Sequence, residues 1–448
     1  MPRATAGSLI PHTVKGETGA AAVRAVLAIV LAALLVAGCG GGDGDGDASG
    51  EIRFLVFGEP EELEAYRNVI RAFRRVEPDI QVNLVEASDR DDLLARLSTS
   101  FAGGSPPDLF LLNYRFYGQF AARGVLEPIE SRLESSDVFQ PDDFYPQALD
   151  AFRFDGELTC LPQNISSLVV YYNRDLFRRA GVPEPRPGWT WNDMVRKALA
   201  LTKDSDGDGN IDQFGLGVEP SLIRIAPFVW SNGGDVVDDQ DRPTRFTLDS
   251  PAARRALEAF FDLRQLHFVI PSEEEVESED DETRFLNGRT AMVLSSRRAT
   301  PAFRTITSFD WDVAPLPRHR KPAGILHSDA YCMTEASGNK TAAWRFMEFA
   351  LGPVGQRITA RSGRTVPSLV EVSRSPAFLD PKARPRHSSV FLDTIPVIRR
   401  VPTISTWPEI EDASEGILEV GLYEGVSAQE VTRQLNEATR PMFARAEK

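Results

Sequence analysis

The first part of the chain shows two hydrophobic patterns in turn: short apolar runs, and apolar residues spaced three or four positions apart. Short apolar runs rich in Val, Ile, Leu and Phe predict buried strands, and apolar residues three or four positions apart predict amphipathic helices. Strands that alternate with helices are typical of a parallel sheet with crossover helices. The pattern predicts, in order, strand 52–57, helix 63–75, strand 80–85, helix 93–101 and strand 108–112.

Ligands bind at the carboxyl ends of the strands in such sheets. The loops at residues 58–61 and 113–117 are therefore candidate binding loops. A second α/β region begins near residue 168, and residues 273–282 are densely acidic, which predicts a solvated helix face or a loop. The second region contains predicted strand 168–172, helix 191–203, helix 252–265, strands 291–294 and 311–314, helix 341–349 and a mainly helical segment 408–443.

The first 38 residues predict a secretory signal peptide. Arg3, Lys15 and Arg24 precede an uncharged apolar run at residues 25–38, AVLAIVLAALLVAG. A spanning helix needs about 20 such residues, so this run is too short to cross a membrane. A basic flank followed by a short apolar run is typical of secretion.

A cysteine follows the apolar run directly. The sequence VAGC at residues 36–39 resembles the bacterial lipobox, which predicts that Cys39 is lipidated and anchors the mature chain to the membrane. Residues 39–50 are rich in Gly and Asp and predict a flexible tether. The alternative interpretations are an ordinary signal cleaved near Ala37 and a buried apolar helix.

Composition narrows the class of protein. The 448 residues carry 50 Lys and Arg against 65 Asp and Glu, a formal net charge of −15, which excludes a general nucleic-acid binder because phosphate contacts need basic side chains. The length suggests about two or three domains. The three cysteines are too few for a disulfide framework. Cys160 and Cys332 lie in strand-like apolar segments and are expected to be small buried residues, with a bond between them left open.

Motifs spread over much of the chain together resemble the extracellular solute-binding proteins of ABC importers, in the carbohydrate-binding group that includes the maltose-binding proteins. Their order and spacing carry the resemblance, since no single motif decides it. They are PDLF at 107–110, FAARGVLEP at 120–128, LP at 161–162, YYNRDLF at 171–177, AGVP at 180–183, WTW at 189–191, NGG at 232–234, NGRTAM at 287–292, WDVAPLP at 311–317 and AWRF at 343–346.

The resemblance implies a two-lobed, periplasmic-binding-protein-like α/β fold, with discontinuous lobes joined by hinge segments around a ligand cleft. It places lobe 1 at residues 51–164 plus 316–375 and lobe 2 at residues 165–315 plus 376–448. It also implies a monomeric lipoprotein without enzymatic activity that needs no cofactor. Such a protein captures a sugar or sugar derivative outside the cytoplasm and delivers it to the membrane permease of an ABC transporter.

A sugar site combines aromatic platforms with carboxylates, amides or guanidiniums, because sugar rings present apolar faces edged by hydroxyls. The resemblance places Glu59 where relatives have a carboxylate on ligand hydroxyls, and Trp407 where they often have an aromatic platform. Core packing is the alternative for each aromatic candidate. The candidate ligand-binding residues are Glu59, Asn113, Tyr114, Ser166, Trp230, Arg298, Asp329, Tyr331 and Trp407.

Residues 295–298 (SSRR) depart from the maltose-binding relatives, which continue here with a small-residue turn and a Trp that stacks on the ligand. A guanidinium at Arg298 can stack on a ring, and it can also clamp a carboxylate or phosphate through two parallel hydrogen bonds. This departure weakens the oligosaccharide interpretation and makes a sugar acid a candidate ligand. The alternative is that one or both Arg side chains point into solvent, Arg297 first.

An aspartate-rich loop, DSDGDGNID at residues 204–212, follows the predicted helix 191–203. It has carboxylates at positions 1, 3, 5 and 9 of a calcium loop and Gly at position 6, but position 12 is Gly215 where such loops have a bidentate Glu. A structural calcium site and a turn stabilised by its own Asx hydrogen bonds are the two interpretations. The candidate calcium ligands are Asp204, Asp206, Asp208, Asn210 through its carbonyl, and Asp212.

A secreted glycoside hydrolase, or another glycan-active lipoprotein, is the alternative function. Such an enzyme needs two carboxyl groups about 5 to 9.5 Å apart, and no pair of acids stands in a recognisable motif. The sequence also lacks a Gly-x-Ser-x-Gly elbow, a His-Glu-x-x-His motif, a Gly-rich phosphate loop and a Cys-x-x-Cys pair. The sequence therefore favours a binding protein.

Overall fold

A computed structural model of the chain describes residues 49–446. The predictions for the signal peptide, for Cys39 and for most of the tether concern residues outside this range. The strands are β1 (Gly50–Val56), β2 (Ile80–Glu86), β3 (Leu109–Asn113), β4 (Arg153–Phe154), β5 (Glu157–Leu158), β6 (Cys160–Pro162), β7 (Val169–Asn173), β8 (Met292–Ser295), β9 (Trp311–Ala314), β10 (Gly324–Ile325), β11 (Asp329–Met333) and β12 (Ile398–Arg399).

Helices make up the greater part of the remaining structure. Short 3-10 turns occur at Pro141–Asp143, Arg297–Ala299 and Ile395–Val397. The α-helices are α1 (Pro60–Phe73), α2 (Arg90–Ala102), α3 (Tyr114–Ala121), α4 (Glu130–Glu134), α5 (Pro146–Asp150), α6 (Arg174–Ala180), α7 (Trp191–Leu201), α8 (Leu222–Ser231), α9 (Pro251–Gln265), α10 (Glu273–Ser278), α11 (Asp281–Leu286), α12 (Thr300–Arg304), α13 (Lys340–Leu351), α14 (Pro353–Arg361), α15 (Val370–Ser373), α16 (Ser389–Thr394), α17 (Trp407–Tyr423) and α18 (Ala428–Arg445).

The first sheet has the strand order β2-β1-β3-β11-β6. Strands β1, β2 and β3 are parallel, with Ile52 opposite Val82 and Phe54 opposite Leu109, so the predicted parallel unit is confirmed. Strand β11 enters from much later in the chain and pairs antiparallel with both β3 and β6. The hydrophobic pattern shows which segments are strands, but it does not show which distant strand completes a sheet.

The second sheet has the order β8-β7-β9, and both pairings are antiparallel. Strand β7 lies at its centre and is buried along its whole length, which explains its continuous apolar sequence VVYYN. The chain passes from the first sheet to the second after β6 and returns to the first sheet at β11. These two sheets build the predicted two-lobed α/β fold, while the exact lobe boundaries stay a prediction.

Local sequence signals set several helix ends. The Asp89 side chain accepts the backbone N–H of Asp92 at 2.8 Å and caps the start of α2. Helix α6 ends at Gly181, whose φ of 66° favours glycine. Residues 273–278 of the acidic stretch form helix α10, which has no buried residue, as predicted, but Asp281 in the same stretch is buried. Within residues 49–446, none of the helices is long and apolar enough to cross a membrane.

One predicted loop is wrong. Residues 113–117 do not form a loop, because helix α3 begins at Tyr114. The Asn113 side chain accepts the backbone N–H of Arg115 at 3.2 Å and caps this helix. The strand therefore passes directly into a helix, and Asn113 marks the carboxyl end of β3.

Cys160 and Cys332 form a disulfide between the neighbouring strands β6 and β11. Both residues are fully buried, as expected, and the bond between them that the sequence left open is present. They are 172 positions apart, and only the pairing of β6 with β11 brings them together. The bond therefore attaches β11, the strand of the first sheet that comes last in the sequence, to β6.

Replacing both Cys160 and Cys332 with Ala is expected to lower the free energy of unfolding by about 3 kcal/mol, because the bond closes a long loop in the unfolded chain. Urea denaturation of the oxidised protein measures this loss. Reductant should lower the stability of the wild type and leave that of the double variant unchanged. Equal stability of the double variant and the oxidised wild type would contradict this role.

Candidate functional site

A cavity of about 310 Å³ lies between the two sheets. On the first-sheet side its wall includes Asn113 at the end of β3 and Asp329 at the start of β11, which begins at the same edge because it runs antiparallel to β3. On the second-sheet side the wall includes residues 296–298, directly after β8. The segments at Ser166 and residues 364–366 complete it. The cavity therefore lies where α/β sheets place ligands.

Asp329 is the centre of a hydrogen-bond network on this wall. Asn113 Nδ2 donates to one carboxylate oxygen at 2.9 Å, and Asn164 Nδ2 donates to the other at 3.1 Å. The backbone N–H of Asp329 donates back to Asn164 Oδ1 at 3.0 Å. Ser166 exchanges two backbone hydrogen bonds with His327, at 2.8 and 2.9 Å. Four of the candidates predicted from sequence therefore line the same cavity: Asn113, Ser166, Arg298 and Asp329.

A buried ion pair, Glu62 with Arg364, forms another part of the wall and is not predicted from sequence. Tyr66 donates its hydroxyl to Glu62 Oε1 at 2.9 Å. Burial raises the pKa of Glu62, and the charge of Arg364 opposes this rise. Nothing in the sequence around either residue marks the pair, because α1 and the segment after α14 meet only in the folded chain.

Guanidinium groups dominate the charged part of the wall. Arg298 donates to Glu282 at 2.7 Å and stays half exposed, Arg115 donates to Glu411 at 2.7 Å, and Arg224 lies 3.2 Å from Glu219. The sequence carries one signal for Arg224, since it is the only charged residue in the otherwise apolar helix α8. The remaining arginines on the wall are Arg90, Arg297 and Arg364.

Arg297 does not point into solvent, so that alternative interpretation is wrong. Its side chain is only 1% exposed and lies over the rings of Phe378 and Phe391, at 4.8 and 5.1 Å from their centroids. It donates to the carbonyl of Gly363 at 2.6 Å and to Ser388 Oγ at 3.2 Å. Burial lowers the pKa of Arg297 to about 9.

The structure places the four aromatic candidates away from the cavity wall. Tyr331 is buried against Phe54, with ring centroids 4.5 Å apart, and Tyr114 is fully buried. The other two are the tryptophans. Trp407 is fully buried beside Phe246, with centroids 6.3 Å apart, and Trp230 is buried under the guanidinium of Arg399, 4.7 Å from its ring.

Glu59, the remaining candidate, is also absent from the wall. It is exposed and precedes helix α1 without making a side-chain capping hydrogen bond. Its neighbour Phe57 lines the cavity instead. Aromatic residues at strand ends and helix starts pack equally well into a core, so sequence position alone does not separate ligand platforms from core residues.

The aspartate-rich loop is exposed and lies outside the cavity wall. Carboxylate oxygens of Asp204, Asp206 and Asp208 lie within 4.8 Å of one another. Asp204 also accepts the backbone N–H groups of Gly207 and Gly209, at 2.7 and 2.9 Å, as the Asx-turn interpretation predicts. Calcium binding by this loop, including Asn210 and Asp212, stays a prediction.

The sequence profile of the bacterial extracellular solute-binding proteins matches residues 58–357. The chain belongs to this family. A binding protein of Brucella abortus (strain 2308) is 24% identical over 384 residues, covering 83% of this chain and 88% of its own. The maltotriose-binding protein of Pyrococcus abyssi (strain GE5 / Orsay) is 23% identical over 325 residues, covering 71% of this chain and 66% of its own.

Among solved structures, the ABC substrate-binding protein of Listeria monocytogenes in complex with cycloalternan superimposes with a TM-score of 0.79. It is 25% identical, and the match covers 88% of this chain and 99% of that one. The family and the two-lobed fold predicted from sequence are therefore confirmed.

Asp281 lies behind the cavity wall, near Glu219 and Arg224. Burial raises the pKa of Asp281 to about 7, the charge of Glu219 adds to this rise, and nearby arginines oppose it. In the unfolded chain the same carboxyl has a pKa near 3.9. The folded state therefore binds a proton that the unfolded state releases, so stability falls as the pH rises from about 4 to 7 and stays low above it.

Asp281→Asn is expected to remove this loss of stability with rising pH, because the amide carries no charge to desolvate. At pH 8 the variant should be more stable than the wild type by about 2 to 4 kcal/mol, and at pH 4 the two should be nearly equal. Urea denaturation at both pH values measures the difference. The exposed Asp249→Asn is the matched control, and a gain that is equal at both pH values would contradict the assignment.

Proposed function

We propose that this chain captures a sugar or sugar derivative in the cavity and delivers it to the membrane permease of an ABC importer. The carboxylate of Asp329, fixed by two amides at the meeting point of the sheets, is the observation that supports this most strongly. Fixed carboxylates, amides and guanidiniums are the groups that bind ring hydroxyls. The maltotriose-binding relative and the cycloalternan-bound neighbour support a carbohydrate ligand.

Capture follows from the position of the wall residues. Asn113 and Asp329 belong to the first sheet, while Arg298 follows a strand of the second. A ligand that contacts both sets of residues makes its full number of contacts only when the lobes are closed, so it favours the closed form. The closed protein then presents both lobes to the permease in one arrangement.

Binding without turnover is favoured over glycoside hydrolysis. A hydrolase needs one carboxyl that gives up a proton and a second that acts as base or nucleophile. On this wall Glu62 is paired with Arg364, Glu219 lies 3.2 Å from Arg224, and Asp329 accepts hydrogen bonds from two amides at both of its oxygens. All three carboxylates are held by neighbouring protein groups, which suits positioning of a ligand better than proton transfer.

The proposal includes a lipid anchor. VAGC at residues 36–39 and the Gly- and Asp-rich residues that follow support cleavage before Cys39, lipidation of Cys39 and a flexible tether to a monomeric binding domain. The protein is then held at the outer face of the cell membrane or in the periplasm. An anchored receptor stays close to its permease, which raises the local concentration of loaded protein.

Asp329→Asn is expected to weaken binding of a sugar that stabilises the wild type by about tenfold, because a hydrogen bond to a charged acceptor contributes about 1.5 kcal/mol or more. A thermal-shift screen of neutral sugars, sugar acids and sugar phosphates finds such a ligand, and calorimetry then measures both affinities. Asp249→Asn, on the exposed surface, should bind like the wild type. Unchanged affinity in Asp329→Asn would remove this carboxylate from the site.

Product analysis on each hit separates the two functions. Stabilisation with the ligand recovered intact supports a binding protein. Release of a monosaccharide from an oligosaccharide hit supports a hydrolase and contradicts the proposal.

Cys39→Ser is expected to move the protein from the membrane fraction to the soluble extracytoplasmic fraction, because Ser has no thiol for the lipid to join. Cell fractionation followed by immunoblotting measures the change. Cys160→Ser/Cys332→Ser is the matched control and should keep its lipid and its membrane association. Membrane association of Cys39→Ser equal to that of the wild type would contradict the anchor.

A further inference from the structure

The cavity wall carries hydrogen-bond donors that have no partner among the described residues. Arg224 Nε and Arg297 Nη2 are buried polar atoms of this kind, and His327 Nε2 is a third unpartnered nitrogen. A buried donor without an acceptor costs about 1 to 3 kcal/mol, so folded proteins rarely leave several together. Donors that stay unpaired beside a cavity point to a ligand that accepts from them.

Three arginines from different elements line the same cavity as His327. Arg115 lies on helix α3, Arg224 lies on helix α8, and Arg298 follows β8 of the second sheet. Burial lowers the pKa of His327 well below its ordinary value, and the charges of these three arginines add to this effect. The imidazole is therefore neutral, and the positive charge around it comes from both lobes.

The nearby carboxylates occupy only some of the N–H donors of these three arginines. Each of the three makes one close contact with a single carboxylate, to Glu411, Glu219 or Glu282. A guanidinium has five N–H donors in a fixed fork, so most of them have no protein acceptor within residues 49–446.

The acceptors on the wall are mostly engaged. Both oxygens of Asp329 accept from amides, and Glu62 accepts from Tyr66 and pairs with Arg364. Glu219, the third carboxylate on the wall, lies 3.2 Å from Arg224. The wall therefore offers more free donors than free acceptors. A group that only accepts hydrogen bonds, such as a phosphate or a carboxylate, complements such a wall better than hydroxyls, which also need acceptors.

The size and apolar lining of the cavity narrow the ligand further. A volume of about 310 Å³ lies at the small end of small-molecule sites, which run from about 300 to 1,000 Å³. Among the described residues that line it, Phe57 is the only Phe, Tyr or Trp. An oligosaccharide needs length and stacking platforms, and this cavity provides little of either.

We propose that the solute is a small polyhydroxylated anion whose phosphate or carboxylate group binds Arg115, Arg224 and Arg298 together. This inference rests on the proposed function and specifies its ligand class. The anion compensates the positive charge that the two lobes bring together, so closure is stabilised by the charged ligand and opposed without it. The amides and the carboxylate at Asp329 are then left to hold the hydroxyls.

Matched sets of ligands test this class. Glucose, glucose 6-phosphate and glucuronate form one set, and glycerol with glycerol 3-phosphate forms another. In at least one set the charged member is expected to raise the melting temperature of the full mature chain where the neutral member at the same concentration does not. Stronger stabilisation by the phosphate or by the carboxylate then identifies the anionic group.

Charge-neutral variants locate the group on the wall. Arg298→Gln and Arg224→Gln are each expected to weaken binding of the charged ligand by about tenfold or more, and to change binding of a neutral sugar by less than threefold. Arg298 is half exposed, so its replacement leaves the fold intact, which circular dichroism checks. Arg298→Lys keeps the charge but loses the fork, and should recover part of the affinity. Arg399→Gln, which lies over Trp230 outside the cavity, is the matched control.

The outcomes separate this inference from the proposed function. A neutral sugar that binds as tightly as its phosphate and its acid overturns the anion class and leaves sugar capture standing. Equal losses for charged and neutral ligands in Arg298→Gln and Arg224→Gln also overturn it. Failure of every neutral and charged member to bind overturns the proposed function itself.

Discussion

The carboxylate of Asp329 ties together three segments that are distant in sequence. It accepts from Asn113 at the end of β3 and from Asn164 in the segment that leaves the first sheet, while it stands itself at the start of β11. These hydrogen bonds are charge-assisted and partly buried, where they are stronger than in water. The edge of the first sheet, and with it one wall of the cavity, depends on this cluster.

Other long-range contacts hold the segments that meet there. The Cys160–Cys332 disulfide joins β11 to β6, and the Glu62–Arg364 pair joins α1 to the segment after α14. Arg297 extends this connection to the second lobe, because it donates to the carbonyl of Gly363, one residue before Arg364. Residues 363–364 are thus held by Glu62 on one side and by Arg297 on the other, which fixes Arg364 on the cavity wall.

Sequence and structure agree where the information is local. Each helix and strand predicted from the hydrophobic pattern is present, with ends within about three residues, because periodicity and capping are decided by near neighbours. The resemblance to the solute-binding family adds the two-lobed arrangement, which no periodicity contains. The disulfide and the antiparallel entry of β11 depend on pairing over long sequence separations, and no local signal predicts them.

The candidate site is predicted in part for the same reason. Asn113, Ser166, Arg298 and Asp329 stand at strand ends or crossing segments, and the sheet topology brings such positions together. The four aromatic candidates lie at helix starts or inside helices and strands and are buried in the core, since apolar rings gain as much from burial there as from a ligand. Arg224 lines the cavity but is not among the candidates, although the sequence carries a signal for it. A single charge in an apolar helix needs a partner, and this helix faces the cavity.

Burial of the aromatic residues changes what the site can recognise. Aromatic side chains bind the apolar face of a sugar by stacking, and this contact depends little on ligand charge. Guanidiniums bind hydrogen-bond acceptors, and their affinity depends on the charge of the ligand. Gathering Arg115, Arg224 and Arg298 around one neutral imidazole costs electrostatic free energy, which the nearby carboxylates only partly offset. A bound anion offsets this repulsion among the arginines, whereas a neutral solute leaves it unchanged. The site therefore discriminates against neutral solutes.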